Sequence, residues 1–566
     1  MTMNTKNIKY LLSVLMFSLL LITISNSLYG QEDKLNKEVQ VVRPYEPSIS
    51  DAFKINLLPQ ISDTTKLTPT LNYNINQRPF STNFTVTPIS PAKMLIEPLS
   101  DLSNTYIRVG LGPTISPLLE IYYNSGRNKE FNYGGWFQSH SDFGKVKLKN
   151  GDRVDSDFGR TNFKIFGKKI LKKSILSGDA GFSKHKVTYY GYDVDAASGT
   201  LETDTTPSVQ HFNQFFTNLR YSSSHTDSTH LNYAGEIGFS HYKDRFDMQE
   251  TFLNISVKMD KFSNGERFGG EFQVHHYMKN SNLDSANNTL VTLAPWINLF
   301  GKQWRALAGA KIVFDKDASG NHSTMYPIGL LSYDIISHYL IPYIEIGGYM
   351  EENSYQKISE ENPWILPGKK VYNTSHKLSL TGGVKGNLST KVSYILYANY
   401  SIIDSMYFFV NTSTYQLNPL NNRFTVESDN VELTKFLGEL TIAPSSKINF
   451  FFRAEYDSYK MNKLAKPWHK PDFSALGSVR YNLKDKIVLN LDIFSTGKRY
   501  VKVSDTSTKI KSLEGITDIN LGIEYRYNKK ISGFLNLNNL TSAKQDIYYL
   551  YPMYRFNVKL GLTYIF

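Results

Sequence analysis

From about Asn104 to the C-terminal Phe566, apolar and polar residues alternate with a period of two, in long segments broken by polar turns. The last segment is the clearest. Tyr554, Phe556, Val558, Leu560, Leu562, Tyr564 and Phe566 form one face, and Arg555, Asn557, Lys559, Gly561, Thr563 and Ile565 the other. In a strand these two sets point to opposite sides of the sheet. Ile448, Phe450, Phe452, Ala454 and Tyr456 alternate in the same way with Asn449, Phe451, Arg453, Glu455 and Asp457. So do Ile519, Leu521, Ile523 and Tyr525 with Asp518, Asn520, Gly522, Glu524 and Arg526.

Two architectures give every strand one apolar and one polar face. A soluble antiparallel sheet packs its apolar face on another layer, whereas a transmembrane barrel turns it to lipid and keeps a polar interior. The segments here exceed the usual soluble strand of about 5–6 residues. Charges recur on one face (Arg453, Glu455, Asp457, Lys559), and no amphipathic helix is evident to cover a sheet. Tyr394, Tyr397 and Tyr400, or Tyr548, Tyr549 and Tyr551, sit near segment ends, as interfacial aromatic girdles do. A secreted β-sandwich chain is the alternative. The pattern predicts an all-β transmembrane antiparallel β-barrel over 103–566.

Short turns at 387–390, 443–446, 484–486 and 527–530 intersperse with polar loops near 142–157, 191–208, 354–373, 413–422, 459–470, 500–514 and 541–550. Pairing rising and falling segments gives about 22 strands, with 14–22 possible and an even number required. Such a lumen is wide enough for a channel or a plug.

Ahead of the barrel the texture differs. Lys6 and Lys9, the apolar run Tyr10–Ile24 and the small residues before Gln31 predict a signal peptide over 1–30, a retained anchor being the alternative. Residues 31–102 hold eight of the 21 prolines. Proline fixes φ and removes a donor, so no long helix or central strand runs through them. Val41, Val42, Tyr45, Phe53 and Leu57 supply apolar anchors, which predicts an extended periplasmic segment that needs another surface, either the lumen or a partner.

Composition narrows the chemistry. With no cysteine among 566 residues, disulfides, iron–sulfur clusters, thiol catalysis and a lipidated N-terminal Cys are excluded. The formal net charge of +12 is spread without a dense basic patch, so no nucleic-acid partner is expected. There is no Gly-x-Ser-x-Gly, His-Glu-x-x-His or calcium-loop pattern, and His275 and His276, being adjacent, face opposite sides of a strand. No enzyme activity, metal or cofactor is expected.

Leu537-Asn538-Asn539-Leu540-Thr541, then Tyr551-Pro552, Arg555, Gly561 and Tyr564-Ile565-Phe566, resembles the closing hairpin of TonB-dependent outer-membrane receptors. The resemblance covers the final 35 residues well and the rest as strand pattern. It implies a Gram-negative outer-membrane barrel embedded in the lipid bilayer, with Tyr564 and Phe566 in the signal read by the barrel-assembly machinery. That family carries a globular plug, and the 72 residues before the barrel do not match one. Glu38, Val39, Gln40, Val41 and Val42 stand where a TonB box would. With Arg43, Pro44, Tyr45, Glu46 and Pro47 they form a stiff extended stretch suited to docking in a groove or on a sheet edge.

Arg453, Glu455, Asp492, Glu524, Arg526, Arg555 and Lys559 are expected to face the lumen. Their mixed sign predicts a hydrated wall rather than a charge-selective filter. The expected function is binding or passage of a solute across the outer membrane. The alternative is a non-transporting barrel subunit of an assembly or export complex that docks a periplasmic or outer-membrane protein through 38–59.

Overall fold

The computed structural model describes residues 103–566 apart from 150, 192–208, 225–229, 281, 284–286, 318–319, 367, 369–370 and 413–421. Residues 38–47, the proline-rich stretch around them and residues 1–30, expected to be a signal peptide, lie outside the described residues.

Twenty-two strands form one antiparallel sheet. The first are β1 (Thr105–Leu111), β2 (Leu118–Asn124), β3 (Phe131–Asp142), β4 (Phe158–Ile170), β5 (Ser174–Thr188), β6 (Val209–Ser223) and β7 (Asn232–Asp244). Next come β8 (Gln249–Ser263), β9 (Glu266–Lys279), β10 (Asn288–Phe300), β11 (Trp304–Asp317), β12 (Gly320–Tyr333), β13 (Ile341–Glu351) and β14 (Thr374–Ser389). The circuit ends with β15 (Val392–Asn411), β16 (Phe424–Ser445), β17 (Ile448–Met461), β18 (Phe473–Leu483), β19 (Ile487–Thr496), β20 (Ile516–Arg526), β21 (Ile531–Asn538) and β22 (Asn557–Ile565). Each strand pairs with its neighbours in sequence, and β1 pairs with β22 from Tyr106↔Ile565 to Leu111↔Leu560. Closure leaves no open edge, as a wall of backbone amides in hydrocarbon requires.

Connections after the even-numbered strands have two to eight residues, and the chain returns to that end at Phe566, whose carbonyl accepts from the Thr105 N–H. The tightest includes Asn264-Gly265, where both residues take positive φ (52° and 85°), the conformation that matches the twist of a two-residue hairpin. The long connections 143–157, 189–208, 352–373, 412–423, 462–472, 497–515 and 539–556 all follow odd-numbered strands and lie at the opposite end. The strand count of 22 and this division into short turns and long loops agree with the alternation.

Exposed apolar side chains keep one parity along most strands, as in Phe215, Leu219 and Tyr221 of β6, or Leu560, Leu562 and Tyr564 of β22; on β13 the register shift between Gly347 and Tyr349 changes it. These side chains form the lipid belt. Aromatic residues thicken it at the short-turn end, where Phe131 stacks on Tyr133 at 5.6 Å and Tyr221 lies 5.7 Å from Tyr233. No described helix is long and apolar enough to cross a membrane, and the one described α-helix has seven residues.

Two expectations fail in instructive ways. Tyr548, Tyr549 and Tyr551 do not belong to the lipid girdle. Tyr549 and Tyr551 are 2% and 0% exposed, because the short pair Asp546–Tyr548 and Tyr551–Pro552 folds inward among the long loops. The last strand also starts later than its alternation suggested, at Asn557, so Tyr554 and Arg555 lie in the connection before it.

Candidate functional site

The long loops build a roof with its own hydrophobic core. Its centre is the connection after β13, here the strap, which carries α1 (Tyr355–Glu361). Ser354 caps α1 by accepting from the Lys357 N–H at 3.1 Å, and Pro363 follows immediately after Asn362 leaves the helix in an extended conformation. Tyr355, Ile358 and Ser359 are buried. The Tyr355 hydroxyl donates to Asp244 of β7 at 2.7 Å, and Glu250 of β8 accepts from the N–H groups of Tyr355 and Gln356. Burial pushes the Tyr355 phenol far above its ordinary range, so it remains a donor. The strap thus leaves β13 and is anchored on strands that precede it by five or six positions around the wall.

Beyond α1 the strap reaches further. Trp364 stacks on Tyr551 with ring centroids 4.0 Å apart and meets Tyr190 and Tyr548 edge-on at 6.0 Å. Its indole N–H donates to the carbonyl of Thr188 at the top of β5 at 2.9 Å. Ile365 bridges Phe424, the first residue of β16, and the Tyr551 hydroxyl donates to the Asn422 carbonyl at 2.6 Å. Connections after β5, β9, β13 and β21 therefore meet in one cluster across the mouth, with Tyr407 and Phe409 of β15 and Phe424 of β16. Aromatic contacts of this kind contribute about 0.5–1.5 kcal/mol each beyond their buried area.

The tall β15–β16 hairpin carries this cluster. At Ser405 (φ 57°) the register slips between Ile403 and Met406, a bulge that bends the hairpin. Above it Tyr407 and Phe409 face the roof cluster, while Phe408 and Val410 pack in a second cluster with Trp468 of the 462–472 connection. Asp429 fixes that connection by accepting from the N–H groups of Asn462, Lys463 and Leu464 at 2.8–3.0 Å.

His469 lies between the two layers. Its Nδ1–H donates to the Phe409 carbonyl at 2.9 Å, and its Nε2 accepts from the Tyr549 N–H at 3.4 Å, so the imidazole is neutral with the proton on Nδ1. Burial lowers its pKa from 6.5 to about 3. The unfolded segment binds this proton near pH 6.5 and the folded one only near 3. Its contribution is therefore complete above pH 6.5 and falls by about 1.4 kcal/mol per unit as pH drops from there. Cleavage of 462–472 by a protease is expected to be faster at pH 5 than at pH 7. In His469→Gln that pH difference should disappear, and an unchanged profile would reject the assignment.

Beneath α1 is a cavity of about 370 Å³ on the lumen side. Gln214, Asn218, Ser240 and Tyr277 line its wall with the rings of Phe216 and Phe252, and Gln356, Lys357 and Glu360 of α1 cover it. Amides, hydroxyls and one charge of each sign beside two aromatic rings suit a polar solute held by hydrogen bonds and stacking. Glu352, at the base of the strap, orients this wall by accepting from the Tyr277 hydroxyl at 2.7 Å and pairing with His275 Nδ1 at 2.6 Å.

The residues singled out by sequence are placed elsewhere on the barrel. Arg453 and Glu455 lie on the face of β17 opposite the exposed Phe452 and Tyr456. Arg453 pairs with Glu439 at 3.0 Å and with Glu455 at 3.1 Å, and Lys435 pairs with both Glu455 and Asp457. Asp492 accepts from the Ser478 hydroxyl at 2.6 Å, Glu524 and Arg526 are 3.5 Å apart on β20, and Lys559 Nζ donates to His140 Nε2 at 2.6 Å. Arg555 is exposed in the connection before β22. Tyr564 and Phe566 pack on each other at 5.2 Å on the outside of the short-turn end. None of these residues contributes to the roof cluster or lines the cavity beneath α1. The roof residues escaped sequence reading. The available signals were Ser354, three residues before Lys357, and Pro363-Trp364 in a chain with five tryptophans.

No protein-family model and no curated relative matches the sequence. Solved structures do. The ferric-catecholate import receptor Fiu from E. coli K12 aligns with a TM-score of 0.61 at 10% identity, covering 82% of each chain. The FrpB iron transporter from Neisseria meningitidis (F5-1 variant) aligns at 0.62 and 10% identity, covering 83% of each. The copper transporter OprC aligns at 0.60 and 10% identity, covering 82% of this chain and 80% of that one. At such identity the likeness is one of architecture: the chain is a closed 22-stranded antiparallel β-barrel, the fold that these receptors and transporters share.

Proposed function

We propose that this barrel passes a polar solute across the outer membrane, with the strap as the movable part of a gate on the long-loop side. The strap carries this reading. It bridges walls far apart around the barrel, packs into the roof cluster through Tyr355, Ile358, Trp364 and Ile365, and covers a polar cavity. The iron and copper transport named for its structural neighbours supports transport as the general role. In this reading the ion pairs of Arg453, Glu455 and Lys435 form a hydrated inner wall along which charge is balanced locally. In the same reading residues 31–102 act as a plug-like insert or a docking arm. Glu38–Pro47 is then the stretch that a TonB-like partner would take up as an added strand.

Ile365 and Phe424 are bridge partners, and the chain has no cysteine of its own, so Ile365→Cys with Phe424→Cys introduces a single disulfide at the strap. The test is planar-bilayer conductance and solute flux of the mature protein, with and without residues 31–102. Oxidation is expected to suppress both and reduction to restore them, and removal of 31–102 to enlarge the open level. Equal flux in the oxidised and reduced forms, in either background, would overturn the gate.

A further inference from the structure

The β11–β12 hairpin carries a group of side chains that the solute pathway does not use. Asp315 and Asp317 are two residues apart on β11 and share a face, and His322 of β12 stands directly across from Asp315 in the register. One ligand atom from each residue lies within 4.8 Å of the other two. Both aspartates are buried, at 6% and 8% exposure, while His322 is open to solvent.

Two carboxylates brought together out of water repel each other and pay for desolvation, so such a pair needs positive charge close by. Lys279, whose charge reaches Asp317, is shared with Glu250. The carboxylates are also held in fixed orientations from behind. Asn373 donates to Asp315 Oδ1 through its side chain at 2.8 Å and to Asp317 Oδ2 through its backbone at 3.2 Å, and it pairs reciprocally with Asn288 at 2.8 and 3.0 Å. Outer-shell amides that orient carboxylates in this way are a usual companion of metal ligands.

We infer that Asp315, Asp317 and His322 bind a divalent transition-metal ion of the zinc class. Two hard oxygens would leave Ca²⁺ or Mg²⁺ as good a choice, but the imidazole nitrogen shifts preference toward zinc and its neighbours. Three protein ligands leave at least one position for water on the exposed, His322 side. Because Asn373 is the last residue of the strap before β14, the bound ion would also fasten the returning limb of the strap to the wall.

The experiment is a calorimetric Zn²⁺ titration of the folded, chelator-stripped mature protein, with Ca²⁺ as competitor. One saturable site per chain is expected, undisturbed by excess Ca²⁺. Asp315→Asn with Asp317→Asn should abolish it. Asn373→Ala should weaken it about 10-fold. His322→Ala, an exposed change that leaves the fold intact, should weaken it more than Asn373→Ala does, and decides the matter if the double variant fails to assemble. No stoichiometric site, or a site indifferent to His322→Ala, overturns the assignment; displacement by Ca²⁺ overturns its zinc-class character.

Discussion

Replacing Gly561 with leucine is expected to prevent closure of the barrel. The seam between β1 and β22 has six residue pairs, and Gly110 and Gly561 face each other in the fifth. Phe534 of β21 stands next to Gly561 in the same row, is 3% exposed, and lays its ring over both glycines. A Cβ on Gly110 would come 2.8 Å from the Phe534 ring, and one on Gly561 would collide with that ring and with the Val109 carbonyl. The Arg108 guanidinium covers the ring at 3.9 Å. Overpacking of this kind costs about 1–3 kcal/mol even where side chains can yield, and here a backbone carbonyl cannot. Phe534→Ala is expected to rescue Gly561→Leu only in part, since the carbonyl remains. The check is the fraction of unheated protein migrating as the compact barrel. Gly382→Ala, where nothing lies within 4 Å of the added carbon, serves as the tolerated control. Equal compact fractions for Gly561→Leu and Gly382→Ala would remove the seam argument.

The second large effect is expected at Trp364. Its truncation to alanine removes a stacked indole from the middle of the roof and leaves the Thr188 carbonyl without its donor. Truncating a buried aromatic of this size to alanine costs about 3–5 kcal/mol, and the carbonyl left without its donor adds to the loss. Trp364→Ala should raise conductance and expose 355–366 to protease while the barrel stays compact on gels. Trp364→Phe keeps a stacking ring but not the N–H, and should fall between. An alanine variant with native conductance and native protease resistance would mean that the roof does not close the pathway.

The wall was readable because its chemistry repeats every two residues. Phe452 and Tyr456 against Arg453 and Glu455 is a local statement, and closure into 22 strands follows from many such statements. The roof obeys no such period. Tyr549 and Tyr551 resemble girdle aromatics in sequence, and only the inward fold of 546–552 buries them, Tyr551 against Trp364 and Phe424 and Tyr549 against Val501 and Leu513. α1 has two turns, too few for a helical repeat to stand out, and its partners Asp244 and Glu250 lie more than 100 residues away. Arg555 was misplaced for the same reason, since the loop before β22 continues the alternation while leaving the sheet. The residues of the zinc-class site were hidden by distance of another kind: Asp315 and His322 are near in sequence, but Asn288 opens β10 and Asn373 ends the strap.

Strand length also varies around the circumference. β1 and β2 have 7 residues, β21 has 8 and β22 has 9, whereas β15 and β16 have 20 and 22. A membrane-crossing strand needs about 9–11 residues, so β1, β2 and β21 fall short of the hydrocarbon layer they border, while β22 only just spans it. Lipid next to β1 and β2 must thin or tilt to avoid exposing acyl chains to water, at a cost of fractions of a kcal/mol per Å of mismatch. The bilayer is thus under compression along one narrow sector of the barrel, the sector where its first and last strands join.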